Sequence, residues 1–197
     1  MCRTFQTRPF SRVLIASLYL CSTCAPLFST HLQSLATTLD GKPFDPFRAA
    51  EGKVVVLVFV RTDCPISDRY APEIQRLSTQ HRDHAAFFLV YPGRKELPEA
   101  IRKDNRGFGY TLTALRDPQR ALVKQSDAQI TPEAAVFDAT RHLIYHGRIN
   151  NLYEDLAHKR KSATTHELAD AIDAAISGRP LDTKATPAVG CYISDLE

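Results

Sequence analysis

The sequence carries almost no surplus charge once its first residues are set aside. Residues 1–39 contain no Asp or Glu, and Arg3, Arg8 and Arg12 account for the whole formal net charge of +3. The remaining 22 Lys and Arg residues are matched by 22 Asp and Glu residues. A chain without a basic excess on its folded part gives no reason to expect a nucleic-acid partner.

A long apolar run is also missing. Residues 13–20 are apolar apart from Ser17, but the run is shorter than the ~18 residues that a membrane span needs, and Pro26 interrupts its weak continuation. Arginines followed by a short apolar segment are typical of a secretory signal. We therefore predict export to the periplasm or another extracytoplasmic compartment. Residues 1–30 would be a signal peptide or an uncleaved anchor, and only this segment is expected to touch a membrane.

Cysteines are few. Cys2, Cys21 and Cys24 lie in the predicted targeting segment, which leaves Cys64 and Cys191 for the mature protein. In an oxidising compartment, two cysteines form either a disulfide or a redox pair. The seven histidines show no convincing metal-ligand spacing with Cys64, so no metal site is predicted.

The apolar patterns predict one compact α/β domain at residues 31–180. Residues 53–60 begin with Lys53 and continue as an unbroken apolar run from Val54, typical of a central strand buried on both faces. A helix is predicted from Pro65 to about Gln80, with Pro72 inside it. Further strands are predicted at residues 35–39, 85–91, 134–137 and 142–145, and short helices at residues 96–103 and 118–124.

The end of the chain divides into a helix and a tail. Thr164 and Glu167 have the spacing of a capping box, and Gly178 marks the C-terminus of the helix that would follow. The tail, residues 181–197, shows little pattern apart from Gly190-Cys191. We treat it as a flexible segment that carries Cys191.

Three features resemble the thioredoxin superfamily. Cys64-Pro65-Ile66-Ser67 follows the buried strand, in the place of the family's C-x-x-C. Ala71-Pro72 matches the kinked active-site helix, and Thr131-Pro132 matches a Thr-Pro pair whose proline is cis in this family. Thr-Asp-Cys-Pro-Ile-Ser-Asp-Arg-Tyr-Ala-Pro-Glu and the later Gly147-Arg148-Ile149 resemble the redoxin group, which includes alkyl hydroperoxide reductases and thiol-specific antioxidant proteins. The resemblance implies a thioredoxin-like fold, with a central mixed β-sheet flanked by helices.

The sequence departs from the patterns of both main activities of these proteins. Ser67 replaces the second cysteine, so a C-x-x-C disulfide cannot form. Peroxiredoxins carry P-x-x-x-T-x-x-C, whereas Thr62 lies only two residues before Cys64 and Leu57 stands where the proline belongs. Thiol–disulfide exchange and reduction of a peroxide through a sulfenic acid therefore both stay open.

The cysteines receive the central predicted roles. Cys64 is the predicted attacking thiol, and Ser67 can donate a hydrogen bond to its sulfur. A helix N-terminus favours the thiolate, while Asp63 and Asp68 oppose it, so the direction of the pKa shift of Cys64 stays open. Cys191 is the predicted resolver of oxidised Cys64. A permanent structural disulfide, or a tail thiol without a partner, are the alternatives.

The resemblance adds a substrate platform. Cis Pro132 would hold the backbone of Thr131 open to pair with an extended substrate beside Cys64. Arg148 is assigned to substrate binding from the fold resemblance alone.

Together these features predict a thiol-dependent oxidoreductase that needs no cofactor. Its partners would be an external thiol reductant or a protein thiol or disulfide. One alternative is a non-catalytic binding or scaffold module of the same fold. A weaker one is a soft-metal carrier that uses Cys64 and Cys191 as ligands.

Overall fold

The computed structural model describes residues 35–193, so the predicted signal peptide or anchor at residues 1–30 lies outside the described residues. The strands are β1 (Ala36–Thr38), β2 (Pro43–Phe44), β3 (Val54–Phe59), β4 (Ala85–Tyr91), β5 (Thr113–Arg116), β6 (Ile130–Thr131), β7 (Glu133–Phe137), β8 (Leu143–Gly147), β9 (Ala185–Thr186) and β10 (Cys191–Tyr192). The helices are α1 (Pro46–Ala49), α2 (Pro65–His81), α3 (Pro98–Phe108), α4 (Ala121–Ser126) and α5 (Glu167–Ser177).

Eight strands form one mixed sheet in the order β2-β1-β5-β4-β3-β7-β8-β9. β3 is near its centre, parallel to β4 and antiparallel to β7. All six residues of β3 are buried, as expected for a strand covered on both faces. The predicted fold class, a central mixed sheet flanked by helices, is confirmed.

Two apolar clusters cover the two faces of the sheet. Alternate residues of β3 belong to different clusters, because successive side chains of a strand point to opposite faces. Val56 and Val58 pack in the cluster that contains apolar residues of α2, α3 and α5. Leu57 packs in the cluster with Phe47 of α1 and residues of α4.

The predicted N-terminus of the last helix is wrong in detail. α5 begins at Glu167 with His166 as N-cap, and no side chain caps it. Thr164 Oγ1 instead accepts a hydrogen bond from Asn151 Nδ2 at 2.7 Å, so tertiary contacts replace the predicted capping box. The predicted C-terminus is confirmed, since Gly178 adopts a left-handed conformation with φ of 63°.

The tail contains regular structure that the sequence pattern did not predict. β9 pairs in parallel with β8 at the edge of the main sheet. β10 pairs antiparallel with β6 in a separate two-stranded sheet. Both pairings join segments far apart in sequence. Between residues 35 and 193, no helix is both long and apolar enough to cross a bilayer.

Candidate functional site

Cys64 lies where the central strand passes into the longest helix. It is the N-cap of α2, with Pro65 as the first helical residue, and its exposed fraction is 0%. The thiol donates a hydrogen bond to the carbonyl oxygen of Thr131 at 3.2 Å. The start of α2 and the Thr131-Pro132 segment therefore meet at the sulfur of Cys64, as the resemblance implied.

Cys191 reaches the same point from the tail. In β10 it is paired with Thr131, and its thiol donates to Cys64 Sγ across a sulfur–sulfur distance of 2.9 Å. Both cysteines are free thiols, and Cys191 is partly exposed. A disulfide has an S–S length of about 2.05 Å, so bond formation requires an approach of less than about 1 Å.

Hydrogen bonds from three directions hold the tail strand. The amide of Ile193 donates to the carbonyl oxygen of Gln129 at 2.8 Å. Thr131 Oγ1 donates to the carbonyl oxygen of Cys191 at 3.3 Å, and Arg61 Nη1 donates to that of Tyr192 at 3.5 Å. Cys191 is thus held by backbone pairing as well as by its own thiol.

The surroundings of Cys64 favour its thiolate. Burial alone raises the pKa of Cys64, but hydrogen bonds from Cys191, from the Ser67 amide and hydroxyl and from the Ile66 amide outweigh it. The resulting pKa lies below the ordinary cysteine value. This direction was not predictable from the sequence, in which Asp63 and Asp68 oppose the helix N-terminus.

The surroundings of Cys191 have the opposite effect. Burial raises the pKa of Cys191 to about 11, and the hydrogen bond to Cys64 and the charge of that neighbour add to the rise. Arg61 opposes the rise, while Asp63 adds to it. Arg61 and Asp63 are themselves paired at 2.8 Å, which weakens the influence of the guanidinium on the sulfur.

Ser67 lies where the sequence predicted it, next to Cys64. It is only 3% exposed, and its Oγ has no hydrogen-bond partner of ordinary geometry among the described residues. Its hydroxyl is nonetheless among the groups that lower the pKa of Cys64. A buried hydroxyl without a settled partner is free to turn toward whatever charge forms on that sulfur.

The Thr131–Pro132 peptide bond is cis, as the resemblance implied. The backbone of Thr131, however, is not open to an incoming substrate. The carbonyl oxygen of Thr131 accepts from Cys64, and β10 is paired along the same segment. The backbone of Thr131, which was expected to pair with a substrate, is paired here with the tail of the chain itself.

Arg148 makes contacts with α5 and with β9. Its Nε donates to Glu167 Oε1 at 2.9 Å, its Nη2 forms an ion pair with the same oxygen, and its amide donates to Thr186 Oγ1 at 3.3 Å. None of these contacts is with the sulfur pair. Its role in substrate binding stays a prediction.

Glu96 is a site residue that the sequence analysis missed. Its Oε1 accepts from the amide and the hydroxyl of Thr62, at 2.9 and 3.1 Å, and its Oε2 accepts from the amide of Gly93 at 3.2 Å. The carboxylate therefore anchors the loop that leads to Cys64. Thirty-four residues separate Glu96 from Thr62, and no motif joins them.

Among residues 35–193, no group of three or more His, Cys, Asp or Glu side chains has an arrangement suited to a metal ion. The described residues do bring the thiols of Cys64 and Cys191 together.

Comparison with known proteins gives a family match and several similar solved structures. The protein-family model described as Redoxin matches residues 22–175. A hypothetical protein from Sinorhizobium meliloti is similar with a TM-score of 0.70 at 21% identity, covering 80% of this chain and 88% of that one. An uncharacterized conserved protein from Geobacillus kaustophilus has a TM-score of 0.66 at 22% identity, with 82% and 89% covered.

A third structure has a described activity. A secreted disulfide oxidoreductase from Mycobacterium tuberculosis, homologous to Escherichia coli DsbE, has a TM-score of 0.50 at 18% identity, covering 74% of this chain and 96% of that one. At such identities the similarity establishes a thioredoxin-like fold and no more. The search of curated proteins gave no significant match.

Proposed function

Because the chain belongs to the redoxin family, we propose that it is an exported thiol-dependent oxidoreductase whose redox pair is Cys64 and Cys191. The observation that carries the proposal is the 2.9 Å distance between the sulfur atoms of two free thiols at the start of α2. Ser67 would assist the thiolate, and Thr131 and Pro132 would line the site. Arg148 is retained as a substrate-binding candidate.

Cys64 acts first in this proposal, because its pKa is the lower of the two. With a peroxide, the Cys64 thiolate attacks one oxygen and the O–O bond breaks. The sulfur is oxidised to a sulfenic acid, and the other oxygen leaves as alkoxide or hydroxide and takes up a proton. With a disulfide, the thiolate attacks one sulfur, a mixed disulfide forms and the other sulfur leaves as a thiolate.

Cys191 acts second. Its raised pKa comes in part from the hydrogen bond and charge of Cys64, and both are lost when Cys64 becomes a sulfenic acid or a mixed disulfide. Cys191 then ionises more readily and attacks the Cys64 sulfur. The S–S bond forms, and water or the thiol of the substrate leaves. An external thiol reductant restores both thiols by exchange and is itself oxidised to a disulfide.

The complete burial of Cys64 favours a second candidate function. A thiol with 0% exposure is shielded from substrates, as in a non-catalytic module whose two cysteines serve only stability. For catalysis, at least the side chain of Cys191 has to move aside.

Thiol mapping by mass spectrometry, before and after a small excess of hydrogen peroxide, distinguishes the two candidates. The proposal predicts reduced Cys64 and Cys191 at the start, a Cys64–Cys191 disulfide after peroxide and its reversal by a thioredoxin. Thiols that stay unreactive, or a disulfide that resists mild reductant, would instead support the non-catalytic module.

A further inference from the structure

The tail strand lies on the part of the site where an extended substrate was expected. β10 pairs with β6, so Cys191 is opposite Thr131 and Tyr192 is opposite Ile130. The backbone groups used in this pairing are those that an added strand from another chain would need. The edge of β6 is therefore an interaction surface, and its occupant in this structure is the chain itself.

The pairing sets strict conditions on the residue before the cysteine. A Cβ atom at Gly190 would lie 2.0 Å from the carbonyl oxygen of Thr131, and backbone cannot give way as a flexible side chain does. Only glycine fits there without displacing the strand.

The residues after the cysteine meet different surroundings. Tyr192 is 58% exposed, so its position accepts many side chains. Ile193 is only 2% exposed and packs in the apolar cluster that contains Val123 and Ala128. The second position after the cysteine therefore favours an aliphatic side chain.

We propose that the β6 edge binds extended protein segments of the pattern Gly-Cys-any residue-aliphatic, and that residues 190–193 compete with them for it. The inference rests on the proposed function, because a cysteine bound in this register meets Cys64. If that cysteine is in a disulfide, the Cys64 thiolate attacks its sulfur, the segment becomes joined to Cys64, and the second sulfur leaves as a thiolate.

The competition separates two kinds of substrate. A small oxidant needs only the side chain of Cys191 to turn away from Cys64. A protein segment needs the whole strand to leave, and a tethered competitor acts at an effective concentration in the mM range. The full chain is thus biased toward small oxidants, and release of the tail opens it to proteins.

The test measures peptide binding without redox chemistry. The probe is a fluorescent heptapeptide with the sequence of residues 187–193 and serine in place of its cysteine. Its affinity is measured by fluorescence anisotropy for the unaltered chain, for Gly190→Val and for Ile193→Asp, which release the tail in two different ways. Tyr192→Ser is the matched control, because it alters an exposed residue of the same strand.

The expected result is binding at least about tenfold tighter to Gly190→Val and Ile193→Asp than to the unaltered chain or Tyr192→Ser. A second peptide, with valine in place of its glycine, is expected not to bind. Circular dichroism and melting curves identify the variants that keep the fold, and one folded tail-release variant is sufficient for the test. Equal affinity for all folded forms, or equal affinity of the two peptides, would overturn the inference. Because the peptides carry no thiol, this result is independent of the peroxide experiment above.

Discussion

The two sulfur atoms of the site lie in contrasting regions of the molecule. Cys64 is at the junction of a six-residue buried strand and a 17-residue helix, within the largest apolar cluster. Cys191 is in the two-residue strand β10, and the other residue of that strand, Tyr192, is mostly exposed. One sulfur is part of the core, while the other is partly exposed, in a short strand held by hydrogen bonds and by the burial of Ile193.

The contrast extends to acidity. Helix amides and a thiol donor lower the pKa of Cys64, whereas burial near another sulfur raises that of Cys191. Amides fixed by a helix keep their position when the tail moves, but the donor from Cys191 does not. The difference suggests that the fold supplies a permanent nucleophile and the tail supplies an adjustable partner.

Exchanging each cysteine for serine tests the division of roles most strongly. We expect Cys64→Ser to lower peroxide or disulfide turnover by about 10³-fold or more, because it removes the attacking atom. Cys191→Ser should still allow one rapid oxidation of Cys64, but it should lose steady-state turnover because the resolving thiol is missing. Stopped-flow and steady-state assays with the same reductant separate these outcomes. Equal loss of the first oxidation in both variants would contradict the assignment.

Matched truncations compare the core with the tail. Ile172 and Ile193 are both almost completely buried, at 0% and 2% exposure. Ile172→Ala should lower the free energy of unfolding by about 2–5 kcal/mol, because it leaves a cavity between α5 and the sheet. Ile193→Ala should cost less, since the tail can detach locally, and should speed alkylation of Cys64. Urea unfolding and iodoacetamide kinetics give the two readouts, and equal alkylation rates would refute a separable tail.

The pH dependence of Cys64 tests whether the tail contributes to its acidity. Cys191→Ala removes the thiol donor that lowers the pKa of Cys64, so that pKa should rise and less thiolate should exist at a given pH. The midpoint of alkylation rate against pH should move upward. Cys191→Ser keeps a hydroxyl donor and should move the midpoint less. The midpoint, unlike the absolute rate, is insensitive to easier access in both variants, and an unchanged midpoint in Cys191→Ala would exclude the contribution.

The smallest effect is expected for Ser67, which belongs to α2 and keeps its place when the tail moves. Ser67→Ala removes one hydroxyl and leaves the helix amides in place, so the alkylation midpoint of Cys64 should rise less than in Cys191→Ala. Ser67→Cys creates a C-x-x-C motif and serves as a contrasting variant, expected to form a disulfide with Cys64 upon oxidation. A larger midpoint shift in Ser67→Ala than in Cys191→Ala would contradict this prediction, because the Ser67 hydroxyl would then lower the pKa of Cys64 more than the Cys191 thiol does.

The core part of the site was predictable because local patterns define it. An unbroken apolar run predicted β3, proline at a first helical position predicted the start of α2, and Thr131-Pro132 resembled a known cis site. Each of these signals lies within a few neighbouring residues. The strand at residues 85–91 was likewise predicted with the bounds that it has in the structure.

The remaining features depend on contacts across long stretches of sequence. β10 has two residues and carries no periodicity, so its pairing with β6 was not predictable from pattern. The anchoring of Thr62 by Glu96 and the loss of the predicted cap at Thr164 are also tertiary effects. Gly190 was noted only as part of the Gly190-Cys191 pair, whereas its close approach to the carbonyl oxygen of Thr131 makes glycine a requirement for packing there.

The span between the two cysteines has a consequence for the energetics of oxidation. They are 127 residues apart, so a bond between them would close most of the folded chain into one loop. In the chain-entropy model, closing a loop of that length lowers the conformational entropy of the unfolded chain, which raises its free energy by about 5 kcal/mol. Oxidation of the pair would therefore increase the resistance of the whole domain to heat, and thermodynamic linkage requires that folding favour the oxidised pair by the same amount. In that case the melting temperature of the protein would report the redox state of its surroundings.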